Sequence, residues 1–311
     1  MEWYFILLIA IGTLLLIVLL TSLACYILTF FNKKHHRNEY LELPNLPQYN
    51  YYKEQIFNDI KEVESYPYED VSIISYDKTK LTGKLYIKPN TSYIEIMFHG
   101  YRGSGKRDLS TGIKRAFACN HSALIVDQRG HGGSSSRTIC FGIRESKDAL
   151  KWIDFVNDKL GVNTKIIICG ISMGASTVIN AGANKLPSNV IGILADCGYD
   201  NTKDIIQKFV KDMKLPPKIF YPFIKLGAKL FANLNVEEIQ PIDSVKNITL
   251  PILFVHGTGD SIVPSYMSEN LYDLCSSSNK RLLLIEEAEH GLAYLKEPER
   301  YIEEVISFFN K

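Results

Sequence analysis

Hydrophobic and polar positions follow two different regimes along the chain. Residues 3–31 are 29 successive residues without a formal charge, dominated by Leu, Ile, Ala, Val and aromatics. About 20 apolar residues suffice to cross a bilayer, so this run predicts a transmembrane helix with length to spare. Tilt would absorb the surplus, as would Trp3, Tyr4, Tyr26, Phe30 and Phe31 lying at the two headgroup levels. Glu2 comes first and the run is too long for the apolar part of a cleaved leader, so an anchor is expected rather than a signal peptide.

From residue 71 the pattern changes to short β-branched runs. Segments 71–76 and 81–88, separated by a polar turn, predict an antiparallel hairpin. Continuous apolar runs recur at 93–98, 123–126, 165–169, 190–195, 251–255 and 281–285, with helix-length segments between most of them. Buried parallel strands have this unalternating pattern. The expected fold is therefore an eight-stranded, mostly parallel α/β sheet covered by helices on both faces. Residues 38–68, with Pro44 and Pro47, read as a linker followed by a short helix. Residues 199–246 read as a helical insertion, either a lid over a pocket or ordinary helices packed on the sheet. The expected division is an anchor at 1–31, a basic flank and linker at 32–67 and a catalytic domain at 68–311.

Charge adds an orientation and removes one class of partner. Lys33, Lys34 and Arg37 follow the apolar run, so the positive-inside rule predicts residues 32 onward on the cytoplasmic side. His35 and His36 belong to this flank; adjacent side chains diverge and no third ligand accompanies them, which argues against a metal site. Thirty-five Lys and Arg against 34 Asp and Glu leave a net charge of +1, without a basic stripe, so nucleic-acid binding is not expected. Six scattered cysteines (Cys25, Cys119, Cys140, Cys169, Cys197 and Cys275) without CxxC pairs predict reduced, mostly buried thiols.

Ligands of such sheets bind beyond the carboxyl ends of the strands. The fifth strand runs into Gly170-Ile171-Ser172-Met173-Gly174 and then a helix-compatible stretch. A serine on a sharp strand-to-helix turn presents its Oγ alone, and glycines two positions either side avoid collisions with neighbouring elements. A serine hydroxyl needs a base, and the base needs an acid to orient it. The seventh strand ends in His256-Gly257-Thr258-Gly259-Asp260, and the eighth leads to Glu289-His290-Gly291. Ser172 is thus the expected nucleophile, His290 its base and Asp260 the orienting acid. Asp196, which also ends a strand, is the rival acid. His256 is expected to bond locally, His121 to lie at the surface, Asp127 to hold the turn at 129–133, and Cys197 to be a buried thiol beside the site. The expected oxyanion donors are the amides of Met173 and of Tyr101, in a glycine-rich loop at 99–105 that lacks the Lys-Ser/Thr ending of a phosphate loop. Two-step acyl transfer by these groups requires no metal or organic cofactor.

Phe98-His99-Gly100, Asp127-Gln128-Arg129-Gly130-His131-Gly132-Gly133-Ser134, the serine elbow, Gly259-Asp260 and Glu289-His290-Gly291 stand in the order found in the α/β-hydrolase superfamily. Over residues 68–311 the chain resembles its serine hydrolases, specifically the bacterial membrane-anchored enzymes related to prolyl-oligopeptidase-like and Bem46-like proteins. The resemblance implies cleavage of a small acyl or lipid-like ester or thioester. A peptidase or amidase of the same fold stays open, as does a catalytically silent, membrane-tethered interaction module. No β-propeller precedes the domain, which argues against a true oligopeptidase. A serine nucleophile argues against the aspartate-based epoxide hydrolases and dehalogenases.

Overall fold

The computed structural model describes residues 2–33, 43 and 45–310. Lys34, His35, His36, Arg37 and Pro44, on which part of the orientation and linker reading rests, lie outside them. The chain opens with α1 (Trp3–Thr29) and α2 (Pro47–Glu64), then β1 (Glu69–Ile74), β2 (Lys80–Tyr86) and β3 (Tyr93–Phe98). Next come α3 (Gly105–Ala118), β4 (Ser122–Asp127), α4 (Ile143–Leu160), β5 (Lys165–Ile171), α5 (Met173–Gly182) and β6 (Val190–Asp196). The insertion carries α6 (Thr202–Asp212), α7 (Pro217–Ala232) and the single turn α8 (Pro241–Ser244). The chain closes with β7 (Ile252–Gly257), α9 (Tyr266–Leu274), β8 (Lys280–Ile285), α10 (Ala293–Lys296) and α11 (Pro298–Phe309).

The eight strands form one sheet in the order β1-β2-β4-β3-β5-β6-β7-β8. β1 and β2 pair antiparallel, as does β2 with β4, and every later pairing is parallel. The hairpin and the parallel run are those the hydrophobic pattern predicts. The central strands read as unbroken apolar runs because both faces are covered. Ile166, Ile168, Val178, Trp152 and Phe254 pack on one side; Ile167, Leu253, Ile113, Val305 and Phe308 pack on the other. A parallel sheet brings the ends of β3, β5, β6, β7 and β8 to one edge, which gathers residues from loops far apart in sequence.

Two parts of the sequence reading need correction at the N-terminus. The first eighteen residues of α1 are almost all exposed and apolar, and at 1.5 Å per residue they span about 27 Å, close to one hydrocarbon thickness. Tyr26, Phe30 and Phe31 do not form a second aromatic belt. The last two turns dock on the folded domain. Phe30 is 0% exposed and packs edge-on against Phe141, and the Tyr26 hydroxyl lies 2.8 Å from Thr138 Oγ1. Phe31 bridges to Thr138, and Asn32 Nδ2 donates to the Gly130 carbonyl at 2.9 Å. Trp3, at the other end of α1, is 75% exposed. The second correction concerns the short helix, which is the 18-residue α2 and reaches the site described below.

His121 is a third correction, since it is buried rather than at the surface. Asn120 turns through positive φ after α3 and folds His121 back under β3, where one ring nitrogen meets Glu95 and the other Asn310. Glu95 also takes two bonds from Arg115, so a buried carboxylate demands these partners. Burial pushes Glu95 up, but Arg115 and His121 outweigh it and hold the carboxyl down at about 2.

Candidate active site

Ser172 sits between β5 and α5 with φ 56° and ψ −119°, a conformation that costs about 1–3 kcal/mol for a residue with a side chain. Its amide donates to the Asp196 carbonyl at 2.8 Å, pinning the turn to the neighbouring strand. The flanking glycines are required by close approach. A Cβ on Gly170 would lie 2.1 Å from the Gly174 backbone, and one on Gly174 would lie 2.0 Å from the Phe98 carbonyl oxygen. The obstacle is backbone in both cases, so neither clash can relax by a rotamer change. Gly174→Ala is expected to cost about 3 kcal/mol or more, read as a lowered urea midpoint with retained helical signal at low denaturant.

Asp260 and His290 come from the loops after β7 and β8. His290 Nδ1 lies 2.6 Å from Asp260 Oδ2, which assigns the ring proton to Nδ1 and leaves Nε2 as the basic nitrogen. The Ile262 and Val263 amides donate to Asp260 Oδ1 at 2.9 and 2.7 Å. His256 also bonds locally, with Nε2 3.1 Å from Asp260 Oδ2 and 2.9 Å from the Val263 carbonyl, while Nδ1 meets Ser268 at 2.6 Å. Burial pushes the Asp260 carboxyl up, yet the bonds from His256 and His290 prevail and lower it to about 2. Asp260 is therefore a carboxylate at neutral pH. The rival Asp196 is engaged differently: its Oδ2 accepts from Tyr301 at 2.9 Å, its Oδ1 is buried without a partner among the described residues, and burial raises its carboxyl.

Ser172 and His290 open onto the same cavity of about 310 Å³. Its walls are apolar, with Ile56, Leu109, Leu194, Phe209, Leu292 and Leu295 among them, and its polar rim includes Arg107, Asp108 and Asp196. Among the described residues no hydrogen bond joins Ser172 Oγ to His290 Nε2. Such bonds are commonly long in unliganded hydrolases and tighten with substrate.

The loop after β3 lies against the serine, since a Cβ on Gly100 would stand 3.4 Å from Ser172 Cβ and 3.8 Å from its Oγ. The Gln128 amide donates to His99 Nε2 at 3.1 Å, so the proton of the buried His99 ring is on Nδ1 and donates to the Gly100 carbonyl at 2.8 Å. Gly103 donates to the same carbonyl at 3.2 Å. In a trans peptide the N–H points opposite to the C=O, so fixing the Gly100 oxygen fixes the direction of the Tyr101 N–H. Met173 is the first residue of α5, where an amide has no intrahelical acceptor. Among the described residues neither of these two amides has a protein acceptor.

Further residues shape the site without any signal in the sequence. The Tyr49 hydroxyl, from α2, donates to the His290 carbonyl at 2.5 Å across a separation of 241 residues. Gln48 holds the same loop through the Glu287 carbonyl and the Glu289 amide. The Glu289 carboxylate takes bonds from Ser261 and the His290 amide, which ties the acid loop to the base loop. Burial keeps the Tyr49 phenol well above its usual range, so it remains a donor. Asp127 accepts from Thr82 and Gly133 and holds its turn, as its position suggests. All six cysteines are buried and unpaired with one another. Cys197 Sγ lies within 4.8 Å of ligand atoms of Asp260 and His290, a spacing that would suit a metal. The set does not fit one: burial keeps the Cys197 thiol well above its usual range, and Asp260 is already committed to two histidines.

Comparison with known proteins agrees with this fold. A model of the alpha/beta hydrolase fold matches residues 96–229, and one of the serine aminopeptidases of the S33 group matches residues 240–299. The chain is 27% identical over 190 residues to the uncharacterised protein YqkD of Bacillus subtilis strain 168, covering 61% of this chain and 62% of that one. It is 26% identical over 231 residues to protein bem46 of Schizosaccharomyces pombe, covering 72% and 71%. It is 27% identical over 228 residues to the uncharacterised membrane protein YNL320W of Saccharomyces cerevisiae, covering 72% and 74%. Among solved structures the Pyrococcus furiosus esterase Pf2001 superposes with a TM-score of 0.64 at 24% identity, over 80% of this chain and 92% of the esterase. Est1E of Butyrivibrio proteoclasticus superposes with a TM-score of 0.58 at 20% identity, over 76% and 97%. The sheet order, the serine elbow at the end of β5 and these matches together show the α/β-hydrolase fold, in a chain similar to Bem46.

Proposed function

We propose that the protein is a membrane-anchored serine hydrolase that cleaves carboxylic esters or thioesters of apolar acyl groups. The observation that carries this reading is the convergence of a strained serine and a carboxylate-bound imidazole on one apolar-walled cavity. Ser172 Oγ attacks the acyl carbonyl while His290 Nε2 takes its proton. Asp260 keeps the proton of His290 on Nδ1 and stabilises the imidazolium. The amides of Met173 and Tyr101 receive the developing oxyanion, and the positive end of α5 lies behind it. His290 then returns the proton to the leaving group, and water repeats the sequence on the acyl-enzyme.

In this reading residues 199–246 act as a lid. Phe209 of α6 reaches the cavity wall, and α7 packs on the last turns of α1 near the bilayer. An apolar substrate leaving the membrane would meet this edge first. Lys33, after the apolar run, and the positive-inside rule support a cytoplasmic catalytic domain. Cleavage of the domain by protease added outside intact cells would contradict that orientation.

A second reading, hydrolysis of an aminoacyl bond, is favoured by one feature: Asp196 Oδ1 is buried at the cavity without a partner among the described residues and could accept from an ammonium group. Turnover of a chain-length series of p-nitrophenyl acyl esters against aminoacyl p-nitroanilides decides between them. The ester reading expects kcat/KM to be at least about 100-fold higher for the best ester and to rise with chain length until the apolar wall is filled, each buried CH₂ adding up to about 0.8 kcal/mol. Faster anilide than ester turnover would transfer the assignment to the peptidase.

A further inference from the structure

The backbone that offers the Tyr101 amide is braced from two sides. One brace, from His99, belongs to the hydrolase domain; the other comes from the membrane helix. The Tyr101 hydroxyl donates to the Thr29 carbonyl at 2.8 Å, and Arg102 Nη2 donates to the Leu28 carbonyl at 2.7 Å and the Phe31 carbonyl at 3.3 Å. The Thr29 and Leu28 carbonyls are orphans of the helix C-terminus, which no residue of the helix itself can satisfy, the Phe31 carbonyl lies just beyond it, and a guanidinium is well suited to that negative end. The arrangement is stiffened by aromatic contacts. Tyr101 packs on Phe141 at 5.1 Å between ring centres, Phe141 packs on Phe30 at 5.7 Å, and the Arg102 guanidinium stacks on the Tyr101 ring at 5.1 Å. Arg102 holds φ 53°, a left-handed conformation that its ties to α1 help to maintain.

The helix is itself held in position. A Cβ on Gly227 of α7 would lie 2.3 Å from the Ser22 carbonyl oxygen and 3.1 Å from Tyr26 Cβ, so α1 and α7 cross in near-backbone contact. Ile139 donates to the Phe30 carbonyl at 2.8 Å and Asn32 to the Arg137 carbonyl at 2.8 Å, fixing the exit of the helix on the turn after β4.

We infer that the last two turns of α1 are a structural part of the oxyanion pocket: the Thr29, Leu28 and Phe31 carbonyls position Tyr101 and Arg102 so that the Tyr101 amide faces Ser172. The inference rests on the serine-hydrolase reading above and adds to it that the anchor sets catalytic geometry as well as location. Tyr101 through its side chain, and Arg102, are then positioning residues. A membrane helix that serves only as a tether needs no hydrogen bonds to the substrate loop.

The test uses the full-length protein in nanodiscs. Active sites are counted by burst titration with a fluorophosphonate, kcat and KM are measured on p-nitrophenyl butyrate, and Tm is followed for each variant. Tyr101→Phe combined with Arg102→Ala is expected to lower kcat per titrated site by about tenfold, with KM within about twofold, because a small displacement of an oxyanion donor acts on the transition state. Arg102→Lys, which keeps a cation at the helix end, is expected to recover most of the loss. Gly227→Leu, remote from the serine, levers α1 away from α7 and is expected to reproduce the fall in kcat even if the double variant does not fold. Unchanged kcat per titrated site in the folded variants, including a loss confined to the number of sites or to Tm, would overturn the inference. If the folded wild-type protein does not titrate at all, the hydrolase reading fails first and the inference with it; titration of the wild type with insensitive variants removes the inference alone.

Discussion

Ser172→Ala is expected to lower kcat on an acyl ester by about 10⁴- to 10⁶-fold, the scale on which loss of a serine nucleophile is measured in other triad enzymes. The backbone of the elbow is held by the Ser172 amide on the Asp196 carbonyl and by the two glycines, not by the hydroxyl. Among the described residues Oγ makes no hydrogen bond whose loss would loosen the turn. The variant is therefore expected to stay folded, with a Tm within a few degrees of wild type, and to keep apolar ligand binding in the cavity. Loss of turnover accompanied by loss of fold would leave the assignment of Ser172 unsupported. Loss of turnover with an intact fold isolates the hydroxyl as the reacting group.

Asp260→Asn is expected to lower kcat by about 10⁴-fold, because in the proposed triad an amide in place of the carboxylate permits the wrong tautomer of His290 and no longer stabilises the imidazolium. The same substitution lowers stability. Asp260 is shifted from an ordinary value of 3.8 to about 2, so its ionised form contributes about 2 kcal/mol that is present above pH 4 and is lost as pH falls through about 2. Asn removes that contribution at all pH values, and the stability of the variant should depend less on pH between about 4 and 2 than that of wild type. Asp196→Asn is the informative control. Its partner is Tyr301, and its carboxyl is pushed up by burial, so an amide changes the site less and most of kcat should survive. Equal losses from the two substitutions, measured by kcat/KM and urea titration together, would contradict the assignment of Asp260.

The sheet and the serine elbow were legible in sequence because both are local signals. Runs of four to six mostly apolar residues announce each inner strand, and Gly170-Ile171-Ser172-Met173-Gly174 announces the turn after one of them. His290 was legible by its place after the last strand. Between Asp260 and Asp196 the sequence offers two acids at the ends of neighbouring strands, and only the path of the loop after β7 determines which one reaches Nδ1 of His290. His121 was misread because its burial depends on Glu95, 26 residues away on another strand. Tyr49, Arg102 and the last turns of α1 were missed for the same physical reason. Their contacts join segments 71 to 241 residues apart and leave no periodicity within any of them. The apolar run of α1 looked uniform, although its first part faces outward while its last turns complete a protein interface.

The most direct test of the account is covalent labelling of the full-length protein with a fluorophosphonate probe, followed by peptide mass spectrometry. The account predicts one adduct, on Ser172, forming at neutral pH and slowed by at least about 100-fold in His290→Ala, whose base is missing. A folded protein that forms no adduct, or one labelled elsewhere while Ser172 stays unmodified, would contradict it.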